Sequence, residues 1–183
     1  MTSAKFRNTR MNHVRNTWGA DVVFFSDERA DDVIFVSDDD SYASNVEKTL
    51  CLLRWHLDKD FNCLVVGDDD TWFNIPNLEK ELKNHSQDEL EIIGCKINMY
   101  KPDKKLDYCS GGGGYVMNKK TLELLCKNIK TDKIFWADVI VGMAARKAGI
   151  KITHCDNFHF HNPAYHDCKG KELKEAISFH YMF

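Results

Sequence analysis

Asn62-Cys63-Leu64-Val65-Val66-Gly67-Asp68-Asp69-Asp70 is the stretch around which the rest of the chain can be arranged. Its first part is a short apolar run of the kind that forms a sheet strand, and it leads directly into three carboxylates. The acids therefore stand at the carboxyl end of a strand, where open α/β sheets bind their ligands. Three adjacent carboxylates raise one another's pKa unless a cation compensates. Oxygen ligands of this kind favour Mg2+, Mn2+ or Ca2+ over zinc. A solvated acidic loop is the plain alternative, and the chain contains its own comparison. Asp38-Asp39-Asp40 follows the strand-like Val33-Ile34-Phe35-Val36 and leads through Ser41-Tyr42-Ala43-Ser44 into a helix. There a loop at a helix N-terminus accounts for the acids without a metal.

Outward from this stretch, short β-rich runs alternate with helical patterns, which is how an α/β fold on a mainly parallel central sheet flanked by helices reads. Val22–Phe25, Val33–Val36, Cys63–Val66, Glu91–Ile93 and Ile150–Ile152 are the expected strands. A helix is expected from Ser44-Asn45-Val46-Glu47, a capping-box pattern, with Val46, Leu50, Leu53 and Leu57 on one face. Others begin at Pro76, near Asn118 and at Asp138, the last ending at Gly149. With 183 residues, 43% of them apolar, and no repeat or linker, the chain is expected to form one domain spanning residues 1–183.

A formal net charge of −3 gives no global field for nucleic acid or an anionic membrane, so any phosphate binding must be local. No run approaches the length needed to span a bilayer, and residues 1–13 lack the apolar centre of a signal peptide. Seven cysteines without a CxxC pair do not support zinc. They fit either disulfides in an oxidising compartment or small buried apolar side chains.

Cys109-Ser110-Gly111-Gly112-Gly113-Gly114-Tyr115-Val116-Met117 is a four-glycine loop that lets backbone approach a ligand closely. It lacks the GK[ST] ending of a P-loop, and no kinase signature is present, which leaves a phosphotransferase resting on the acidic triplet alone.

Ordered blocks along the chain resemble the β1,3-glycosyltransferases that include fringe and the core-1 galactosyltransferase. They are His13-Val14-Arg15-Asn16-Thr17-Trp18, Val23-Phe24-Phe25-Ser26-Asp27, Asp68-Asp69-Asp70-Thr71-Trp72, Ser110 to Val116, Ala137-Asp138-Val139 with Gly142, and Phe158-His159. The resemblance implies a GT-A type fold, a UDP-sugar donor, Mn2+, and transfer with inversion to a sugar on a glycoprotein or glycopeptide. Carried over by position, Asp70 resembles the metal-ligating acid, with Asp68 beside it, and Asp68 and Asp69 assist donor binding. His159 resembles the late histidine of the metal site, with His161 as the alternative. Asp138 resembles the catalytic base, a role compatible with a helix N-cap. Gly112 and Gly113 are expected at the donor, and Arg10, with Thr2, Lys5 or Arg15, near its nucleotide or phosphates. Trp72, Tyr115 and Trp136 are candidates for stacking on sugar or base.

Two departures stand out: Ala137 replaces the acid usual before the base, and Gly113 replaces the usual alanine. The chain is also shorter than family catalytic domains. HVRNTW, together with Phe158, His159, Pro163 and His166, points to a core-1-like galactosyltransferase acting on O-GalNAc. A fringe-like N-acetylglucosaminyltransferase acting on O-fucose is the alternative. A third possibility is a non-catalytic chaperone or glycan-binding module, although a core-1 chaperone is expected to lack the acidic motif that this chain keeps. The resemblance also implies the Golgi lumen, on an amino-terminal membrane anchor that this sequence does not show.

Overall fold

The apolar run Cys63–Val66 and the glycine-flanked Tyr115–Asn118 form neighbouring strands, and the rest of the fold is arranged about that pair. The computed structural model describes residues 1–101, 104–130, 136–165 and 168–183. In chain order the strands are β1 (Phe25–Ser26), β2 (Ile34–Phe35), β3 (Cys63–Val66), β4 (Trp72–Phe73), β5 (Glu91–Gly94), β6 (Lys96–Lys101), β7 (Lys104–Cys109), β8 (Tyr115–Asn118), β9 (Lys151–His154), β10 (Phe158–His159) and β11 (Ser178–Phe179). The helices are α1 (Asn12–Asn16), α2 (Asn45–Trp55), α3 (Ile75–Leu82), α4 (Lys119–Asn128), α5 (Ala137–Ala148) and α6 (Lys171–Glu175). None of the described helices is long and apolar enough to cross a membrane.

The central sheet has the order β3-β8-β5-β9. Strands β3, β5 and β9 point the same way, so the mainly parallel sheet expected from the sequence holds for strand direction. The hydrogen-bonded pairs differ: β8 runs against both of its neighbours, and β5–β9 is the parallel pair. Two smaller sheets flank it, a parallel β1–β2 pair and the order β10-β11-β4. Strands β6 and β7, which mix apolar and charged residues and are not among the strands expected from the sequence, pair antiparallel.

Alternation along each strand sends side chains to two cores. Leu64, Val66, Ile92, Tyr115 and Met117 meet Leu52 and Leu53 of α2, Leu122 and Leu125 of α4, and Val141, Ala144 and Ala145 of α5. Ile93 and Val116 face the other way, toward Phe73, Leu78, Phe158 and Ile177. Asn74 and Asn118 cap α3 and α4 through their side chains, and Gly149 ends α5 at φ +70°. The capping box at Ser44 is not formed. The chain enters α2 through a helical turn, so Ser44 is already helical and its hydroxyl donates to the Ser41 carbonyl. All seven cysteines are free thiols, and Cys95, Cys109, Cys155 and Cys168 are buried. Burial pushes the Cys109 thiol up to about 12 and that of Cys155 to about 11, so both behave as small apolar side chains.

One charged cluster sits at the edge of the second core. Glu91, 3% exposed, receives Thr153 Oγ1 and lies 2.8 Å from His85 Nδ1, while His85 Nε2 reaches Glu81 at 3.3 Å. Burial works against both charges. Even so, Thr153 and His85 hold the Glu91 carboxyl below its ordinary value, and the two glutamates raise His85 above its own. Since the folded state binds the His85 proton more tightly than the unfolded chain, this stabilisation is full below the ordinary histidine value. It is lost as pH rises through the raised one. His85→Ala should lower the unfolding free energy by about 1–3 kcal/mol in mild acid. Urea titrations should show the gap to wild type narrowing in mild alkali, whereas a pH-independent gap would refute a charged His85.

Candidate functional site

The reversed strand β8 builds the site. Val66 of β3 and Gly94 of β5 both lie opposite Tyr115, so the glycine loop before Tyr115 arrives at the end of the sheet where Asp68-Asp69-Asp70 leave it. The buried Thr71 hydroxyl joins the two, donating to Gly112 O at 2.8 Å and accepting from Asp68 N at 3.0 Å. Gly114 has φ +77°, and a Cβ there would meet the Phe73 ring at 2.3 Å, so only glycine lets the loop close over β4. On the other side β11 pairs antiparallel with β4, with Phe179 opposite Trp72, which brings the next residue, His180, to Asp70.

These elements enclose a cavity of about 540 Å³ lined by all three aspartates, Gly111, Gly112, Asp138, His161 and His180. Residues of the amino-terminal segment cover one side. Thr2 Oγ1 donates to Asp69 Oδ2 at 2.7 Å, Ser3 Oγ to Asp27 Oδ2 at 3.0 Å, and Arg10 Nη1 lies 3.2 Å from Asp69 and 3.1 Å from Asp70. The lining also includes Asp40, Ser41 and Tyr42. The triplet read as a solvated loop thus contributes Asp40 to the site, while Asp38 pairs with Arg29 at the surface and Asp39 accepts from Ser41 N.

Asp68, Asp70 and His180 each offer a ligand atom, and these lie within 4.8 Å of one another. The two carboxylates suit a hard divalent cation, and the imidazole beside them favours a transition-metal ion such as Mn2+ over Mg2+. Without one, the charges are held by protein groups. His180 Nε2 is 3.2 Å from Asp70 Oδ1, and its Nδ1 is 3.3 Å from Phe160 O. Burial opposes the His180 imidazolium, but Asp70 and Asp68 outweigh it and raise its pKa. Burial likewise works to raise Asp70, yet His180 and Arg10 bring it below the ordinary value. Asp68 goes the other way, pushed up by burial and by its acidic neighbours.

The placement of the expected residues is mixed. Asp68, Asp69, Asp70, Asp138, Arg10, Gly112 and His161 all border the cavity. Both carboxylate oxygens of Asp69, however, are engaged by Thr2 and Arg10, so it anchors the amino-terminal segment. His159 is displaced from the metal cluster by strand alternation. It sits opposite Phe179 in the β10–β11 register and stacks on that ring at 4.6 Å, while His180, the next residue, faces Asp70. His161 packs against Tyr165 and Tyr181. Gly113 is turned inward: its N–H donates to Ser110 Oγ and its carbonyl accepts the Ser178 hydroxyl. Arg15 pairs with Asp32, Tyr115 is core, Trp72 stacks on Phe179, and Trp136 is exposed. His166 lies outside the described residues. His180 was missed because Ile177-Ser178-Phe179-His180 carries no spacing signal; only its pairing with β4 reveals it.

Asp138 is the second residue of α5, after Trp136 at the N-cap position, so the cap expected of Asp138 falls two residues earlier. Its Oδ2 accepts Gly111 N at 3.2 Å and its Oδ1 accepts Val139 N at 2.9 Å. Burial raises its pKa despite these bonds. A carboxyl tuned upward in a cavity is suited to proton transfer.

A mixed α/β sheet with an acidic turn, a glycine loop and a completing histidine at one end defines a GT-A-like glycosyltransferase fold. The whole chain, residues 1–183, matches the family described as fringe-like, and it belongs to that family. It is 29% identical over 180 residues to the β-1,3-galactosyltransferase brn of Drosophila melanogaster, covering 86% of this chain and 54% of that protein. It is 28% identical over 156 residues to the β-1,3-galactosyltransferase bre-5 of Caenorhabditis elegans, 73% of this chain and 48% of that one. A mouse N-acetyllactosaminide β-1,3-N-acetylglucosaminyltransferase 4 matches at 29% over 112 residues, 52% of this chain and 32% of its own. The chain spans about half the length of the first two relatives.

The close packing of Gly112 gives a test of the metal cluster. A Cβ at Gly112 would meet the His180 ring at 2.1 Å, whereas one at Gly111 reaches Asp138 no closer than 3.6 Å. Gly112→Ala should push His180 off Asp70 and weaken Mn2+ binding by roughly tenfold or more in calorimetry. Gly111→Ala should bind Mn2+ as wild type does, and equal affinities in both variants would remove His180 from the cluster.

Proposed function

We propose that this chain is the catalytic core of an inverting, Mn2+-dependent β1,3-glycosyltransferase that moves galactose from UDP-galactose to a protein-linked sugar, O-GalNAc first among acceptors. One observation carries the proposal: the half-buried, upward-shifted Asp138 and the Asp68–Asp70–His180 cluster open onto one cavity. The family and the named activities of its relatives agree with it. The secretory pathway is the compartment proposed with it.

In this reading Asp68, Asp70 and His180 hold Mn2+, which supplies the positive charge that the departing diphosphate requires. Arg10 keeps Asp69 and Asp70 in place and leaves a guanidinium at the same wall. Gly112 presents backbone where a side chain would fill the space beside His180. The acceptor hydroxyl attacks the anomeric carbon from the face opposite the diphosphate. As the new C–O bond forms, the bond to the diphosphate breaks, UDP leaves, and Asp138 takes the hydroxyl proton. Gly111 N–H and Val139 N–H hold the carboxylate of Asp138 in that orientation.

Wild-type protein should release UDP from UDP-galactose with Mn2+ and an O-GalNAc glycopeptide. Parallel reactions with UDP-N-acetylglucosamine and an O-fucosyl peptide test the fringe-like donor and acceptor. No release with any UDP-sugar would overturn the enzyme reading. Asp138→Asn should lower kcat by roughly 10²- to 10⁴-fold while leaving Mn2+-linked UDP binding intact. Asp70→Ala should abolish that binding, and calorimetry with no Mn2+-linked affinity in wild type would favour a glycan-binding module. The rate should fall as pH is lowered through the raised Asp138 value. A raised folded-state carboxyl is destabilising once ionised, so Asp138→Asn should keep or increase the melting temperature at neutral pH.

A further inference from the structure

Tyr181 is the one non-glycine residue with positive φ among the described residues, at +57°, and it directly follows His180. A large side chain in that region is strained, and the strain persists only where neighbouring contacts over-determine it. Here the contacts are between rings. Tyr181 stacks on His180 with centroids 3.7 Å apart and planes 23° from parallel, and on His161 at 5.8 Å and 25°. Yet Tyr181 is 54% exposed, so the strained backbone does not serve to bury it. It lines the cavity.

A second ring stands on the same cavity. Tyr42, 69% exposed, follows Asp40 and Ser41 in the lining of the same cavity. Burial raises its phenol pKa, and so do the charges of Asp138, Asp68 and Tyr181, which places the hydroxyl within electrostatic reach of all three. Neither tyrosine belongs to the cation cluster, and neither is needed to position Asp138. Two exposed tyrosine rings in the cavity that also holds Asp68, Asp70 and Asp138 suit a ligand with a polar rim and an apolar face. A pyranose has that character. In the galacto configuration the axial 4-hydroxyl leaves one face bearing only C–H bonds at positions 3, 4 and 5, and aromatic faces attract such weakly positive hydrogens.

We infer that Tyr181 and Tyr42 form an acceptor subsite, an aromatic clamp that holds the terminal pyranose of the acceptor by its C–H face and directs its hydroxyl toward Asp138. The inference rests on the reading of Asp138 as the acceptor-side base. It adds to that reading the residues that select a sugar acceptor over other hydroxyl compounds. The strain at Tyr181 then has a use: it fixes the ring against His180 before the sugar arrives, which reduces what must be ordered on binding.

Saturation-transfer NMR on the full chain with methyl α-N-acetylgalactosaminide and methyl β-galactoside tests the clamp, with UDP–Mn2+ calorimetry in parallel. Wild type should transfer saturation most strongly to H3, H4 and H5. Tyr181→Gly, which relieves the backbone strain, and Tyr42→Ala should each reduce that transfer at least about threefold. Tyr42→Ala removes no member of the Asp68–Asp70–His180 cluster and should bind UDP with Mn2+ as wild type does. Tyr181→Phe keeps the ring and should keep the signal, so a loss in that variant would overturn stacking. Unchanged saturation in the glycine and alanine variants, or none in wild type, would overturn the clamp. In Tyr42→Ala, loss of UDP affinity with saturation retained would also overturn it, by assigning that ring to the nucleotide. The two readings fail separately: tyrosine-dependent saturation without Mn2+-linked UDP binding removes the transferase and leaves the sugar clamp, and the reverse removes only the clamp.

Discussion

The Thr71 hydroxyl, fully buried, accepts the Asp68 amide and donates to the Gly112 carbonyl, and through that pair of bonds the acidic turn and the glycine loop become one structure. Loops at the end of a sheet are ordinarily its most mobile parts. Here the two loops belong to adjacent antiparallel strands, β3 and β8, so sheet pairing already brings them together. The hydroxyl then removes their remaining freedom. The carboxylates are thereby held on rigid elements, which is what a cation site of fixed geometry requires.

Three like charges on one turn need different surroundings to coexist, and the structure separates them. Asp69 is neutralised by Arg10 and bonded by Thr2, Asp70 is shared between Arg10 and His180, and Asp68 alone is pushed toward its protonated form. The arrangement also explains why the amino-terminal segment folds where it does. Residues 2–10 carry little apolar surface toward the sheet, and they are fastened by Thr2 and Arg10 to the acids and by Ser3 to Asp27. Asp27 is in turn bonded to the buried Lys48. A local field built this way is compatible with a net charge of only −3, since two of the three acids are paired with Arg10 and His180.

Much of this was legible in the sequence because it rests on local signals. The run Cys63–Val66, the stop at Gly149 and the helix starts near Pro76 and Asn118 depend on residues close in sequence. So does the position of the acids just past a strand. Pairing was not legible. β8 hides behind four glycines, its apolar letters being equally compatible with the start of a helix. β6 and β7 mix apolar and charged residues, and only their pairing with each other shows them to be strands. Val22 and Val23 read as strand but are exposed, and the pairing of β1 with β2 begins only at Phe25. Ser44 shows the limit of a motif: S-x-x-E is present, but the preceding helical turn leaves that serine nothing to cap.

The exchange of His159 for His180 follows from the same limit. A motif transfers a residue by its neighbours in sequence, while a metal ligand is selected by the face of a strand. In the β10–β11 pair, His159 and Phe179 share a register position, and their rings lie parallel, 11° apart. Consecutive residues of an extended chain point to opposite faces, so a histidine matched to Phe179 points away from the side that His180 occupies. The antiparallel pairing of β11 with β4 then delivers His180 to the acidic turn. Two strands of two residues each decide which imidazole meets Asp70. That decision is invisible to composition and periodicity, because both histidines follow a phenylalanine and both lie in short apolar runs.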